Sequence, residues 1–164
     1  MLRFETGIGT CGIRWSERGI TGVALLPPPG AEPAPARVPE AVAAAVAGIV
    51  ALLAGERRDL REVVVDDEGL DPFRRRVYAA TRAVGPGSVA TYGEIARTIG
   101  DPGAARAVGA ALGANPFPIV VPCHRVLAAD GALHGFSAPG GVATKRRMLE
   151  LERVPGFGQQ ALFA

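Results

Sequence analysis

One lysine stands against 17 arginines in this 164-residue chain, and asparagine and tryptophan also occur only once each. Cysteine and histidine are scarce as well: two of each, Cys11 and Cys123, His124 and His134. There is no C-x-x-C pair, so neither a zinc ribbon nor a thioredoxin-like motif is present. The two cysteines lie far apart in unlike contexts, which favours reduced thiols over a bridge. No run of about 18 apolar residues exists, so no transmembrane helix is expected. The segment MLRFETGIGTCGIRW has no basic stretch followed by an apolar one, the pattern of a signal peptide. A cytoplasmic, intracellular location is therefore the expectation.

What is present suits a globular chain. Apolar residues make up 48% and charged residues 21% of the sequence, enough for a real core and too few charges for a disordered tail. The net charge of +2 hides an asymmetry. Residues 1–71 carry 7 basic and 11 acidic side chains, whereas residues 72–164 carry 11 basic and 5 acidic ones. A basic half points to a polyanionic partner, of which nucleic acid is the common case, although chance clustering on a solvated surface gives the same count.

Short stretches of Thr, Ile and Val broken by glycine predict two or three strands within residues 2–26, with turns near Gly9 and Ser16–Gly19. PPPGAEPAPARVP is a proline-rich loop. AVAAAVAGIVALLAG predicts a helix over 41–55, and LREVVVDD a strand over 60–67. The acidic DDEGLDP marks a boundary. It divides residues 1–70 from a C-terminal domain, 71–153, followed by a tail, 154–164.

Beyond the boundary the pattern turns helical. Asp71 and Pro72 open a helix over 71–84. Thr91 caps a second, with Glu94 completing a capping box. Asp101 and Pro102 open a third that stops at Gly113. Two short helices joined by about three residues form a helix-turn-helix signature. NPFPIVVPCHRVL reads as strand-like, and 142–152 as a last helix.

PCHR, residues 122–125, puts a thiol beside an imidazole. The thiolate is the nucleophile, and a neighbouring base raises its fraction. Adjacency by itself favours a buried structural cysteine, since free cysteine is among the most buried residue types. Pro118 and Pro122 stiffen the approach to Cys123, a poor way to build a strand and a sensible way to hold a nucleophile. Asn115 and Lys145, the single asparagine and the single lysine, stand out in a chain that otherwise uses arginine.

TYGEIA, AARAVG, NPFPI and PCHRV, in that order, resemble the O6-alkylguanine-DNA alkyltransferases. The resemblance covers residues 71–153 well and TGIGTCGIRWSERGITGVALL more loosely. It implies an α+β fold, with a small N-terminal β-sheet domain (ribonuclease H-like) and a C-terminal helical domain of winged-helix, helix-turn-helix type. It implies that Cys123 accepts the alkyl group irreversibly, once per molecule. His124 relays the thiol proton through a water and Glu152 orients His124. Asn115 braces the turn, Tyr92 hydrogen-bonds the flipped guanine, and Lys145 lies near the guanine loop. Val126 and Ser137 contact the base through their backbones, with Phe136 as an aromatic wall. Arg106 enters the base stack, on a helix whose small residues, Ala105 and Gly109 among them, permit close approach to DNA. The implied partner is double-stranded DNA containing O6-alkylguanine, bound through the minor groove by a monomer. No cofactor, metal or membrane is implied.

The target O6 carbon lies inside the duplex, so its nucleotide must flip out for a thiol to reach it. A helix almost free of long polar side chains suits binding without sequence readout. GFSAPGG departs from the family pattern. Phe136 stands where tyrosine is usual, and about two extra residues, with Pro139, alter the pocket rim. The cysteine and histidine set that binds zinc in some relatives is also lacking. Three rivals remain: a module that flips alkylguanine without accepting the alkyl group, an acceptor acting on RNA or free base, and a DNA-binding regulator.

Overall fold

The structure, a computed structural model, describes residues 1–30, 32–133 and 135–158. It is α+β, as expected. Strands β1 (Leu2–Thr6), β2 (Gly9–Ser16) and β3 (Gly19–Leu25) form an antiparallel sheet in that order. Two-residue turns join them, since Thr6 pairs with Gly9 and Ser16 with Gly19. Gly19 has φ +147° and lies so close to the next segment that a Cβ would meet the Val64 carbonyl oxygen at 2.7 Å. That approach lets the Ile20 N–H donate to Val64 O at 3.0 Å and the Asp66 N–H donate to Ile20 O at 2.8 Å.

The strand expected over 60–67 does not form. Only an isolated bridge pairs Val65 with Ile20. The Arg82 guanidinium donates instead to the carbonyls of Leu60, Arg61 and Val63, at 3.0, 3.1 and 2.6 Å. Those carbonyls converge on one side chain, which a ladder cannot allow, and Val64 is left exposed to solvent.

Helix α1 (Glu40–Leu53) buries Val42, Ala45, Ile49, Leu52 and Leu53, the spacing of one helical face. Helix α2 (Pro72–Arg82) is capped by Asp71, whose carboxylate accepts from the Arg74 N–H at 2.9 Å, a cap worth about 1 kcal/mol. Strand β4 (Ala90–Thr91) leads directly into α3 (Tyr92–Thr98). Thr91 accepts from the Glu94 N–H at 3.1 Å, and its hydroxyl donates to the Glu94 carboxylate at 3.2 Å. Helix α4 (Ala105–Gly113) begins later than expected, with Ala104 at its N-cap and no side-chain cap. Asp101 and Pro102 form a preceding turn, closed by the Ala104 N–H on the Asp101 carbonyl at 3.0 Å.

The strand-like reading of NPFPIVVPCHRVL is also corrected. Asn115–Val121 is a tight turn, Cys123–Arg125 a single 3-10 turn, and only β5 (Val126–Leu127) is extended. Prolines 116, 118 and 122 cannot donate to a ladder, so besides an isolated Pro118–Val121 bridge the only strand pairing in the stretch is at its end. β5 runs parallel to β4, with Ala90 opposite Val126 and Thr91 opposite Leu127. Helix α5 (Gly141–Leu151) closes the fold.

One apolar cluster runs from Ile13 and Ile49 through Val77 and Val108 to Phe117, Ile119 and Met148, crossing both halves of the chain. Tyr78 anchors the helical side. Its hydroxyl donates to Ala111 O at 2.7 Å, and its ring meets Phe117 edge-on at 6.5 Å.

Candidate active site

The β4–β5 pairing explains how residues 31 positions apart, Tyr92 and Cys123, meet. Tyr92 follows β4 directly and the Cys123–Arg125 turn precedes β5 directly, so their register sets tyrosine and thiol at one cavity. That cavity is about 610 Å³, and Tyr92, Gly109, Asn115, Cys123, Phe136, Ser137 and Lys145 all line it.

The turn before the thiol is tightly held. The Asn115 amide donates to Val121 O at 2.9 Å, and its carbonyl accepts from the Phe117 N–H at 2.9 Å. Between them Ile119 has φ +75°, a costly conformation for a β-branched residue. Asn115 and the buried packing of Ile119 hold it there.

Burial pushes the Cys123 thiol above its ordinary 9.0, outweighing the Asn115 side chain and the Lys145 charge, which both favour the thiolate. The thiol therefore needs a base. His124 is fully buried, and its Nε2 lies 2.8 Å from Glu152 Oε1. Arg125 fixes the far side of that carboxylate: Nε donates to Oε2 and Nη2 to Oε1, both at 2.8 Å, while Nη1 donates to Val84 O at 2.7 Å. Burial raises the Glu152 carboxyl, but hydrogen bonds and charge from His124 and Arg125 prevail and bring it down to about 2. Glu152 is thus ionised and can only accept.

The tautomer follows. Burial lowers the His124 pKa more than Glu152 raises it, so the ring is neutral. With Nε2–H donated to Glu152, the lone pair is on Nδ1. Nδ1 is buried with no hydrogen-bond partner among the described residues. The network leaves one basic atom unengaged, next in sequence to the thiol.

Lys145 is 1% exposed, and burial lowers its pKa. Its Nζ donates to the Val126 carbonyl at 2.8 Å and sits 6.0 Å from the ring centroids of both Tyr92 and Phe136. Val126 is fully buried, with its carbonyl committed to this bond. Ser137 Oγ donates to Gly113 O at 2.9 Å, fastening the loop to the end of α4. Burial raises the Tyr92 hydroxyl pKa, so it remains protonated.

Arg106 lies outside the cavity, exposed on α4. It lines an open groove of about 670 Å³ with Ala105, Arg97 and Glu94, and Tyr92 and Gly109 border both spaces. The outward residues of α4 include Ala107, Ala110 and Gly113. Among the described residues, no three His, Cys, Asp or Glu side chains gather as metal ligands.

Arg125 is the member that sequence reasoning missed. Buried arginines are rare, and an arginine beside PCH reads first as a surface charge. Its signal is present only in retrospect, as the one cation next to a histidine that needs an ionised carboxylate.

The family model for the DNA-binding domain of 6-O-methylguanine DNA methyltransferase matches residues 72–154. A methylated-DNA–protein-cysteine methyltransferase of Mycobacterium bovis is 48% identical over 125 residues, which cover 76% of this chain and 73% of the relative. One from Methanothermobacter thermautotrophicus is 36% identical over 148 residues, 90% of this chain and 82% of the relative. A crystal structure of Mycobacterium tuberculosis OGT in complex with DNA is similar across 99% of this chain and 98% of that one, with TM-score 0.77 and 38% identity.

Proposed function

The chain belongs to the 6-O-methylguanine DNA methyltransferase family, and we propose that it repairs DNA by moving the alkyl group of O6-alkylguanine onto its own Cys123. The carrying observation is the His124–Glu152–Arg125 network, which leaves a buried, unengaged lone pair on the residue next in sequence to the buried Cys123 thiol. The thiol proton passes to His124 Nδ1 through a water, and Glu152 stabilises the imidazolium. Sγ attacks the alkyl carbon in line, forming the S–C bond as the C–O6 bond breaks. The bonding pair stays on the guanine, which takes a proton at N3 from the Tyr92 hydroxyl and leaves as a neutral base. Lys145, near the Tyr92 ring, offsets charge developing there. The thioether is not readily cleaved, so each molecule acts once, and no step calls for a metal or organic cofactor.

The lesion must leave the helix to reach this cavity. The small outward side chains of α4 support close docking in the minor groove, with Arg106 filling the space the guanine vacates. Phe136 walls the base, and the backbones at Val126 and Ser137 border it. On this reading residues 71–153 bind DNA and react, residues 1–70 buttress them, and the protein works as an intracellular monomer on double-stranded DNA. Residues 159–164 of the tail fall outside the described residues. Among the described residues no helix is long and apolar enough to cross a membrane.

Incubation with duplex DNA carrying O6-methylguanine, followed by intact mass and peptide mapping, tests the proposal. The expected result is one added methylene equivalent on Cys123, absent in Cys123→Ala. Binding of the DNA without mass gain by the wild type would establish the non-transferring module instead.

A further inference from the structure

The loop of residues 135–141 carries three glycines at positive φ: Gly135 at +58°, Gly140 at +84° and Gly141 at +53°. Glycine adopts such backbone at little cost, and it brings conformational freedom with it. The loop therefore needs ties to keep one shape. Its C-terminal limb is tied to α5. The Thr144 hydroxyl donates to Pro139 O at 2.8 Å, and the Gly141 N–H closes a turn on Ala138 O at 2.9 Å.

The N-terminal limb is tied elsewhere. Ser137 Oγ donates to the Gly113 carbonyl at 2.9 Å. Gly113 is the last residue of α4, where carbonyls lack partners within the helix. The bond gives the helix end a donor and the loop an anchor. Gly113 lies four positions, about one helical turn, from Gly109, which lines both the cavity and the open groove that holds Arg106. Two residues beyond Gly113, Asn115 braces the turn before Cys123. One hydroxyl thus links the loop that carries Phe136 to the helix that carries Arg106 and, through Asn115, to the turn of the nucleophile.

With that bond made, Lys145 Nζ stands 6.0 Å from the ring centroids of both Phe136 and Tyr92, and the cavity of about 610 Å³ stays open over Cys123. That volume is in the range of small-molecule sites, so the tied loop leaves room for a base. Ser137 is exposed, and a neutral hydrogen bond at such a site biases the tied form by about three- to tenfold. The bias bears on rate because in-line transfer falls steeply when the reacting groups are misplaced.

We propose that the Ser137 hydroxyl is a positioning group. By latching the loop to Gly113 it makes loop and α4 one body, so that α4 docked on DNA sets the Phe136 wall that receives the base. This rests on the transfer reaction proposed above. Two measurements on wild type, Ser137→Ala and Ser137→Thr test it. Amide hydrogen exchange of the free protein over residues 135–138 reads the latch. Single-turnover transfer from saturating O6-methylguanine duplex, followed by intact mass, reads its use. Ser137→Ala is expected to exchange about three- to tenfold faster there and to transfer about three- to tenfold more slowly. Ser137→Thr keeps the hydroxyl at an exposed site, and both readouts are expected within about twofold of wild type. Unchanged exchange in Ser137→Ala overturns the latch even if transfer slows, since slowing by itself marks direct contact between hydroxyl and base. Faster exchange with unchanged transfer overturns the positioning role, as does a threonine variant as slow as the alanine one. Wild type that transfers no methyl refutes the reaction and the positioning role with it, and the exchange result then decides whether the latch exists.

Discussion

Glu152→Gln removes one charge and almost no volume from the centre of the site. The carboxylate accepts three hydrogen bonds, from His124 Nε2, Arg125 Nη2 and Arg125 Nε. A glutamine amide cannot satisfy all three, since either orientation sets its NH2 against a donor. The Arg125 guanidinium, 5% exposed, also loses its counter-charge. Breaking a buried pair from one side costs on the order of 3–5 kcal/mol. The carboxyl pKa gives an independent figure: its depression from 4.5 to about 2 corresponds to about 3 kcal/mol at neutral pH. A group whose folded pKa is depressed contributes fully above its unfolded value, and the contribution is lost as pH falls towards the folded one. Urea unfolding should therefore show a loss of about 3 kcal/mol at pH 7 that narrows below about pH 4.5. His124, also depressed, destabilises the wild type as pH drops below its ordinary 6.5, and this adds to acid sensitivity in the same direction. Where the new NH2 faces Nε2 it forces the proton onto Nδ1, and a wrong tautomer costs on the order of 10⁴ in rate. A stability loss under about 1 kcal/mol, the ceiling for an exposed pair, or a gap independent of pH, would refute the reasoning.

Asn115→Ala strands the Phe117 N–H beside the strained Ile119, while the Val121 carbonyl keeps the Cys123 N–H, so a loss of about 1–3 kcal/mol is expected in urea unfolding, with slower alkyl transfer. Lys145→Met removes a cation that favours the Cys123 thiolate, and the pH profile of iodoacetamide labelling at Cys123 should move to higher pH. Arg106→Ala should weaken repair of duplex DNA far more than reaction with free O6-benzylguanine. Equal losses in the two assays would remove its role in base flipping.

The helical half was legible because its signals are local. Asp71 and Thr91 cap the helices they were expected to cap, since a cap bonds within three residues. Where local patterns failed, a long-range partner had intervened. Residues 60–67 have strand-forming valines, but Arg82, about 20 positions on, takes their carbonyls. Asp101 was a plausible cap for α4, yet the helix starts four residues later behind a turn. The motif order pointed to Cys123, His124, Asn115 and Glu152, and the structure pairs His124 with Glu152 and sets Asn115 on the turn before Cys123.

The motif order, through its resemblance to a known family, pointed to the chemical class; the residues alone offered a thiol next to an imidazole, on a chain whose basic half follows its acidic one. Only the tertiary structure decided which nitrogen of His124 carries the proton, because that depends on Glu152 being ionised, and Glu152 is ionised because Arg125 folds back onto it. Likewise only the fold brought Pro27–Gly30 to the cavity of Cys123. Covalent order sets which groups are available; burial and distant partners set their protonation and reach, and neither can be read from neighbours along the chain.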